Sequence, residues 1–139
     1  MNEILGKPTG ICKGQGRSMH IYNRKINFFS SAIVGGICPI AVGVALSIKH
    51  KFKGIKERPH VWCFIGDGGE DTGSFMESVR FGLSRNLPLT FIIEDNDRSV
   101  ETSKELRWHN YSPVNGRNVI HYNYTATYPH VGIGQHVSM

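Results

Sequence analysis

The chain has 139 residues, of which 40% are hydrophobic and 19% charged; that suits one domain with a real core and excludes an intrinsically disordered chain. No apolar run approaches the roughly 18 residues that a membrane span needs, and the first residues lack the basic-then-apolar pattern of a signal peptide, so a cytoplasmic protein without membrane contact is expected. The net charge of +5 admits an anionic partner, from nucleic acid to a phosphorylated cofactor, while Cys12, Cys38 and Cys63 lack zinc-site spacing and read as reduced thiols.

Residues 1–31 are loop-like, because Gly6, Pro8, Gly10, Gly14 and Gly16 break any period. From Gly36 to Lys53, Ile37, Ile40, Val44 and Ile48 recur at helical spacing with Ala41 and Ala45 between them. The pattern predicts a helix buried at its start and solvated at its lysine-rich end. A basic connector with Pro59 follows. Val61–Ile65 is a short apolar run suited to a strand buried on both faces, with Trp62 and Phe64 as core residues. It stops at Gly66-Asp67-Gly68-Gly69. Thr72–Arg85 reads as a helix with Phe75, Val79 and Leu83 four apart, capped by Asp71 or Thr72. Glu70 and Asp71 are accounted for by that cap and by the helix dipole. Pro88–Ile93 is a second buried strand, ending at Glu94-Asp95-Asn96-Asp97. The stretch from Asn118 to Tyr128 alternates tyrosine with smaller residues, as an edge strand does.

Strand, helix and strand make a βαβ unit with a parallel pair, and ligands bind such sheets at the carboxyl ends of the strands. Asp67 and Asn96, 29 positions apart, should therefore be neighbours. Glycines beside Asp67 would let backbone amides approach an anion, and the aspartate becomes useful to a phosphate once a divalent cation bridges them. Asn96 offers a second hard oxygen, which favours Mg²⁺. The plainer alternative is a tight turn with a capping aspartate. His20 reads as a solvated loop histidine. Arg107-Trp108-His109 is the one basic–aromatic cluster that a nucleic-acid reading could use.

Gly66-Asp67-Gly68 followed by Asn96 in Glu94-Asp95-Asn96 resembles the thiamine diphosphate motif. Gly14-Gln15-Gly16-Arg17-Ser18-Met19-His20 is similar to the glycine-rich Ser-Met-His loop of the alpha subunit of the decarboxylating component of 2-oxo acid dehydrogenases, of pyruvate or acetoin type. Ile33-Val34-Gly35 with Pro39 and Gly43, Phe75-Met76-Glu77 and Leu87-Pro88 extend the resemblance over residues 4 to 103. It implies that Asp67 and Asn96 ligate Mg²⁺ by side chains and Arg98 by its carbonyl. It further implies that Gly66, Gly68 and Gly69 surround the diphosphate and that Ala32 and Val34 contact the aminopyrimidine. The implied partners are a 2-oxo acid and a pyrimidine-binding beta subunit or domain, in a homo- or hetero-oligomer. An apolar interface over Ile33–Ile40 would meet that partner.

There are departures. Asp95 stands where the family has asparagine, and the connector at Gly54–Arg58 is longer. An upstream segment that helps hold the diphosphate is expected to be missing, and His130 is the one stand-in for a later active-site histidine. The resulting expectation is a single α/β three-layer domain over residues 1–139 with a parallel sheet. Its function is the thiamine diphosphate-binding half of an oxidative decarboxylase, inactive alone. The alternatives are a non-catalytic domain that binds the same cofactor, or a basic nucleic-acid-binding domain. Asp67, read as a loop residue at a strand end, is expected to be dispensable for folding.

Overall fold

In the computed structural model, residues 1–125 are described; His130 lies outside them. They divide into two compact units, Met1–Ile37 and the chain from Cys38 onward.

The first unit is built from turns, as its glycines and Pro8 dictate. Its regular structure is one small antiparallel hairpin, β1 (Tyr22–Asn23) with β2 (Phe28–Phe29), pairing Tyr22 with Phe29 and Asn23 with Phe28. Asn27, with φ of 50°, takes the left-handed conformation that closes it. Ser30 accepts the Ile21 N–H at 3.0 Å and steadies the strand ends. A cleft of 590 Å³ beside the hairpin is lined by Ile4, Ile11, Ile21, Ile26 and Phe28 among others.

The second unit opens with α1 (Ile37–Lys51), close to the expected helix. Pro39 falls in its first turn, where a missing N–H costs no intrahelical bond, and Lys49, His50 and Lys51 sit at the negative end of the helix dipole. The buried stripe differs from the expected one. Cys38, Ala41 and Ala45 face inward, whereas Ile40 and Val44 are exposed. The Cys38 and Cys63 thiols touch, and small side chains let the helix lie that close to the sheet.

β3 (Val61–Gly66) runs into a one-turn helix, α2 (Asp67–Glu70), then α3 (Gly73–Ser84) and β4 (Leu89–Asp95). Thr72, not Asp71, caps α3 by accepting the Phe75 N–H at 3.3 Å. β3 and β4 are parallel, with Val61 opposite Leu89 and Gly66 opposite Glu94. The connection from β4 carries a hairpin of β5 (Arg98–Ser99) and β6 (Thr102–Ser103) and a short α4 (Lys104–Arg107). It ends in β7 (Val119–Asn123), parallel to β4 on its other side, within the stretch expected to be an edge strand. The sheet order β3-β4-β7 establishes a mixed α/β fold with a parallel sheet. Among the described residues no helix is long and apolar enough to cross a membrane.

The core lies on one face. Phe75 of α3 meets Phe91 edge-on, with ring centroids 5.3 Å apart, over Cys63, Ile65, Leu89 and Ile93. Because Cys63 pairs with Phe91, α1 and α3 cover the same side of the sheet. The other side is open among the described residues. Trp62 is 57% and Phe64 55% exposed, so the expectation that both are core residues fails. Apolar composition identified the strand; it could not reveal that the described chain covers only one of its faces. Of a three-layer arrangement these residues form the sheet and one helical layer.

Phe75 and Phe91 are both fully buried, and truncating one opens a cavity under α3. Phe75→Ala should cost about 3–5 kcal/mol, read as a lowered urea midpoint.

Candidate functional site

The carboxyl ends of β3, β4 and β7 gather most of the buried charge. Asp67 begins α2 directly after β3 and is 2% exposed. Its Oδ2 accepts from Arg107 Nη2 at 2.5 Å, and Nη1 of the same guanidinium donates to Asp71 Oδ2. Trp108 Nε1 donates to the other Asp71 oxygen at 2.9 Å. One turn after Asp67, Glu70, also 2% exposed, accepts the Tyr111 hydroxyl and the Val114 N–H at 2.8 Å, with His121 Nε2 at 3.6 Å. Asp95, at the end of β4, holds Lys104, whose ammonium also lies 4.1 Å from the centre of the Tyr111 ring. The three carboxylates that follow β3 are thus satisfied by one stretch of chain, residues 107–121.

Burial pushes the Asp67 carboxyl above its ordinary range, against the pull of Arg107, and nearby Asp95 adds to the rise. For Asp95 the balance reverses. Burial pushes it up, but the hydrogen bond from Lys104 and the Asp97 N–H bring it below the usual range. Tyr111 is driven upward by burial and by its bond to Glu70.

These contacts correct two expectations. Asp67 is not an exposed loop residue but a buried ion-pair partner. Glu70 and Asp71 do not cap α3; they anchor the crossover to β7. Arg107 and Trp108 of the basic–aromatic cluster bond to Asp67 and Asp71. No signal in the sequence marked these pairings, because the partners lie 36 and 40 positions apart.

Asn96 follows β4 by one residue, as Asp67 follows β3, and the Gly66–Glu94 pairing puts those ends on adjacent strands. Its Oδ1 accepts the Arg98 N–H at 3.1 Å in a tight turn whose next residue, Asp97, has φ of 62°. A cavity of 330 Å³ opens there, lined by Asp95, Asn96, Asp97, Asn123, Tyr124 and Thr125. Arg98 pairs with Ser103 in the small hairpin, and its side chain reaches the Glu101 carbonyl. Gly68 is required for packing: a Cβ there would collide with the Ser99 hydroxyl, so the loop after β4 lies directly on the turn after β3. A Cβ on Gly66 would meet open space, and one on Gly69 would press on Ile65 at 3.3 Å. Asp67 and Asn96 are suitable hard oxygen donors at adjacent strand ends, but the aspartate faces Arg107. Among the described residues no group of three or more His, Cys, Asp or Glu is arranged to hold a metal ion.

The other candidates belong to the first unit. Ala32 and Val34 are exposed, Val34 by 66%, and His20 is solvated as expected. Sequence reasoning missed Glu3. Its carboxylate is 3% exposed and collects the loop that bears the Gly-Gln-Gly step. Oε2 accepts from Cys12 N at 2.7 Å and Gly14 N at 3.0 Å, and Oε1 from Gly16 N at 2.7 Å and Arg17 N at 3.3 Å. No periodicity or spacing marks such a residue, because its partners are backbone amides.

The chain is thus a parallel α/β domain with its buried charge and its glycine turn at the carboxyl ends of the strands, where ligands bind in sheets of this class. The chain belongs to the dehydrogenase E1 component family, whose model matches residues 1–117. It is 40% identical over 97 residues to the alpha subunit of acetoin:2,6-dichlorophenolindophenol oxidoreductase of Bacillus subtilis (strain 168), covering 69% of this chain and 28% of that protein. The corresponding subunit of Cupriavidus necator is 38% identical over 106 residues, 76% of this chain and 31% of that protein. The chloroplastic pyruvate dehydrogenase E1 component subunit alpha-3 of Arabidopsis thaliana is 35% identical over 99 residues, 69% of this chain and 23% of that protein. The chain therefore spans about a quarter to a third of the length of the curated relatives it matches.

Glu3 ties protonation to the fold of the first unit. Burial alone would raise its carboxyl, but the four backbone donors outweigh burial and hold it below the ordinary glutamate range. A lowered folded value means that the stabilisation is complete above the unfolded value and is lost as the pH falls through the folded one. Thermal unfolding followed between about pH 6 and pH 3 should show this acid-side loss, and it should shrink in Glu3→Gln.

Proposed function

We propose that these residues form a thiamine diphosphate- and Mg²⁺-binding domain of a 2-oxo acid dehydrogenase decarboxylating component, and that the 139-residue chain alone holds the cofactor without turning over substrate. The observation that carries this reading is the placement of Asp67 and Asn96 just beyond paired parallel strands in a chain of the E1 family.

In this reading Asp67 and Asn96 offer side-chain oxygens to Mg²⁺ and Arg98 offers its carbonyl, while the amides around Gly66, Gly68 and Gly69 meet the diphosphate. Ala32 and Val34, exposed in the first unit, would lie against the aminopyrimidine. Bound thiamine diphosphate supplies the electron sink for loss of CO₂ from a 2-oxo acid, and the protein supplies anchoring and orientation. The carboxylate that activates the aminopyrimidine would come from a pyrimidine-binding beta subunit or domain, so the working form is an oligomer in the cytoplasm. Each unit exposes apolar side chains of the kind such an association uses, Ile33 and Val34 in the first and Ile40 and Val44 in the second.

Calorimetric titration of the purified chain with thiamine diphosphate tests the reading. Weak binding that requires Mg²⁺, with no turnover of pyruvate or its longer homologues, is the expected result. Asn96→Leu should abolish the Mg²⁺ dependence, whereas Arg98→Ala should change affinity by less than about threefold, since a main-chain oxygen survives the substitution. Absence of binding at millimolar cofactor with Mg²⁺ present, or turnover by the chain alone, would refute it.

A further inference from the structure

Asp67 is asked to do two incompatible things. The proposed function gives its carboxylate to a divalent cation, yet in the folded chain that carboxylate already holds a cation, the Arg107 guanidinium. We propose that Arg107 is a built-in competitor for the cation site: it neutralises Asp67 in the folded chain, and a divalent ion gains the aspartate only when Arg107 withdraws. The inference rests on the Mg²⁺ reading above for its ligand, but its evidence is the chain's own geometry.

Three features carry it. First, Arg107 is fastened from two sides, to Asp67 through Nη2 and to Asp71 through Nη1, so release from Asp67 need not strand its charge: Asp71 keeps it. Second, its fit is incomplete. Among the described residues, Arg107 Nε is one of two buried side-chain nitrogens or oxygens without a hydrogen-bond partner, so the buried position leaves a donor unsatisfied. A cation held in this way loses less on leaving than one with every donor engaged. Third, Arg107 ends α4, a single turn between the irregular stretch 108–116 and a two-residue strand, and so is not locked by a long element.

Lys104 repeats the arrangement one turn earlier on Asp95, the residue that replaces a family asparagine beside Asn96. The Lys104 ammonium offsets the carboxylate that this replacement introduces. The two basic residues of α4 thus each sit on a strand-end aspartate. A metal ion arriving here meets an Asp67 carboxylate already paired with a cation, and its affinity is reduced by the work of separating Arg107 from Asp67.

The test uses the whole chain and Mn²⁺ alone, read by the loss of the free-ion paramagnetic resonance signal and by calorimetry. Arg107→Gln keeps much of the side-chain volume and removes the charge; it should bind Mn²⁺ at least about tenfold more tightly than the unaltered chain, a difference of about 1.4 kcal/mol. Its thermal midpoint should fall without metal and recover with it. Because loss of Arg107 leaves Asp67 buried without a counter-ion, a second variant guards against misfolding. Asp71→Asn keeps Arg107 but removes its second resting place, so it should weaken Mn²⁺ binding relative to the unaltered chain, the opposite direction to Arg107→Gln. Equal or weaker Mn²⁺ binding in folded Arg107→Gln would overturn the proposal. So would Mn²⁺ affinity in Asp71→Asn no weaker than in a control substitution at exposed Glu105, where no effect is expected. Thiamine diphosphate titration is scored separately. If Arg107→Gln gains Mn²⁺ affinity but no chain binds the cofactor, the competition stands and the cofactor reading falls. If the cofactor binds with Mg²⁺ while Mn²⁺ affinity ignores Arg107, the reverse holds.

Discussion

Two carboxylates, Asp67 and Glu70, are buried within one turn of each other at the end of β3, with Asp71 beside them. Ionised groups out of water are tolerated only with partners, and leaving one unpaired typically costs several kcal/mol. Here the partners arrive from a distant part of the chain. Arg107, Trp108, Tyr111, the Val114 N–H and His121 all converge on this turn. The crossover from β4 to β7 contains only a small hairpin and one helical turn, with little apolar surface of its own to bury. It is held by the acidic turn, and β7 takes its place at the sheet edge with it. Charge is therefore structural at this end of the sheet before any ligand is considered.

The βαβ unit was legible because each of its parts announces itself locally. Val61–Ile65 and Pro88–Ile93 are short apolar runs, the Phe75–Val79–Leu83 spacing marks a helix, and glycines and acids interrupt them at the strand ends. Thr72 as the cap was within reach, since it precedes the apolar period directly. The orientation of α1 was not. Ile40 and Val44 are more hydrophobic than Ala41 and Ala45, but close packing against β3, with Cys38 on Cys63, selects the face with the smaller side chains. Hydrophobic ranking alone cannot anticipate a choice made by shape. The exposure of Trp62 and Phe64 was equally out of reach, because a strand's composition says nothing of what its neighbours bring to each face.

The candidate site divides along the same line. Asp67 and Asn96 could be paired from topology, since both follow parallel strands. What Asp67 touches could not be read, because Arg107 is 40 positions away and its role depends on how an irregular crossover folds back. Glu3 shows the same limit in the first unit. A single carboxylate organises four amides around Cys12–Arg17, and the glycines there are needed partly for close approach. A Cβ on Gly16 would run into the His20 carbonyl, and one on Gly10 into Glu3 itself. Read from the sequence, those glycines mark a loop suited to a ligand. In the fold they first serve an internal anion.

Glu3 and Asp67 are then two versions of one solution. In each unit a glycine-bearing turn meets a charged group supplied by the chain, an acid among amides in one and a guanidinium on an acid in the other. Such turns have strong electrostatic preferences, and an unsatisfied one would be costly in the ligand-free fold. Supplying the charge internally lets each turn reach a satisfied state within the fold itself. The two cases differ in how firmly the internal group is held. Glu3 has four backbone donors within 3.3 Å and is deeply buried, so it belongs to the permanent framework. Arg107 leaves Nε unpaired and keeps Asp71 as a second resting place, so it is the group of the two that can give way.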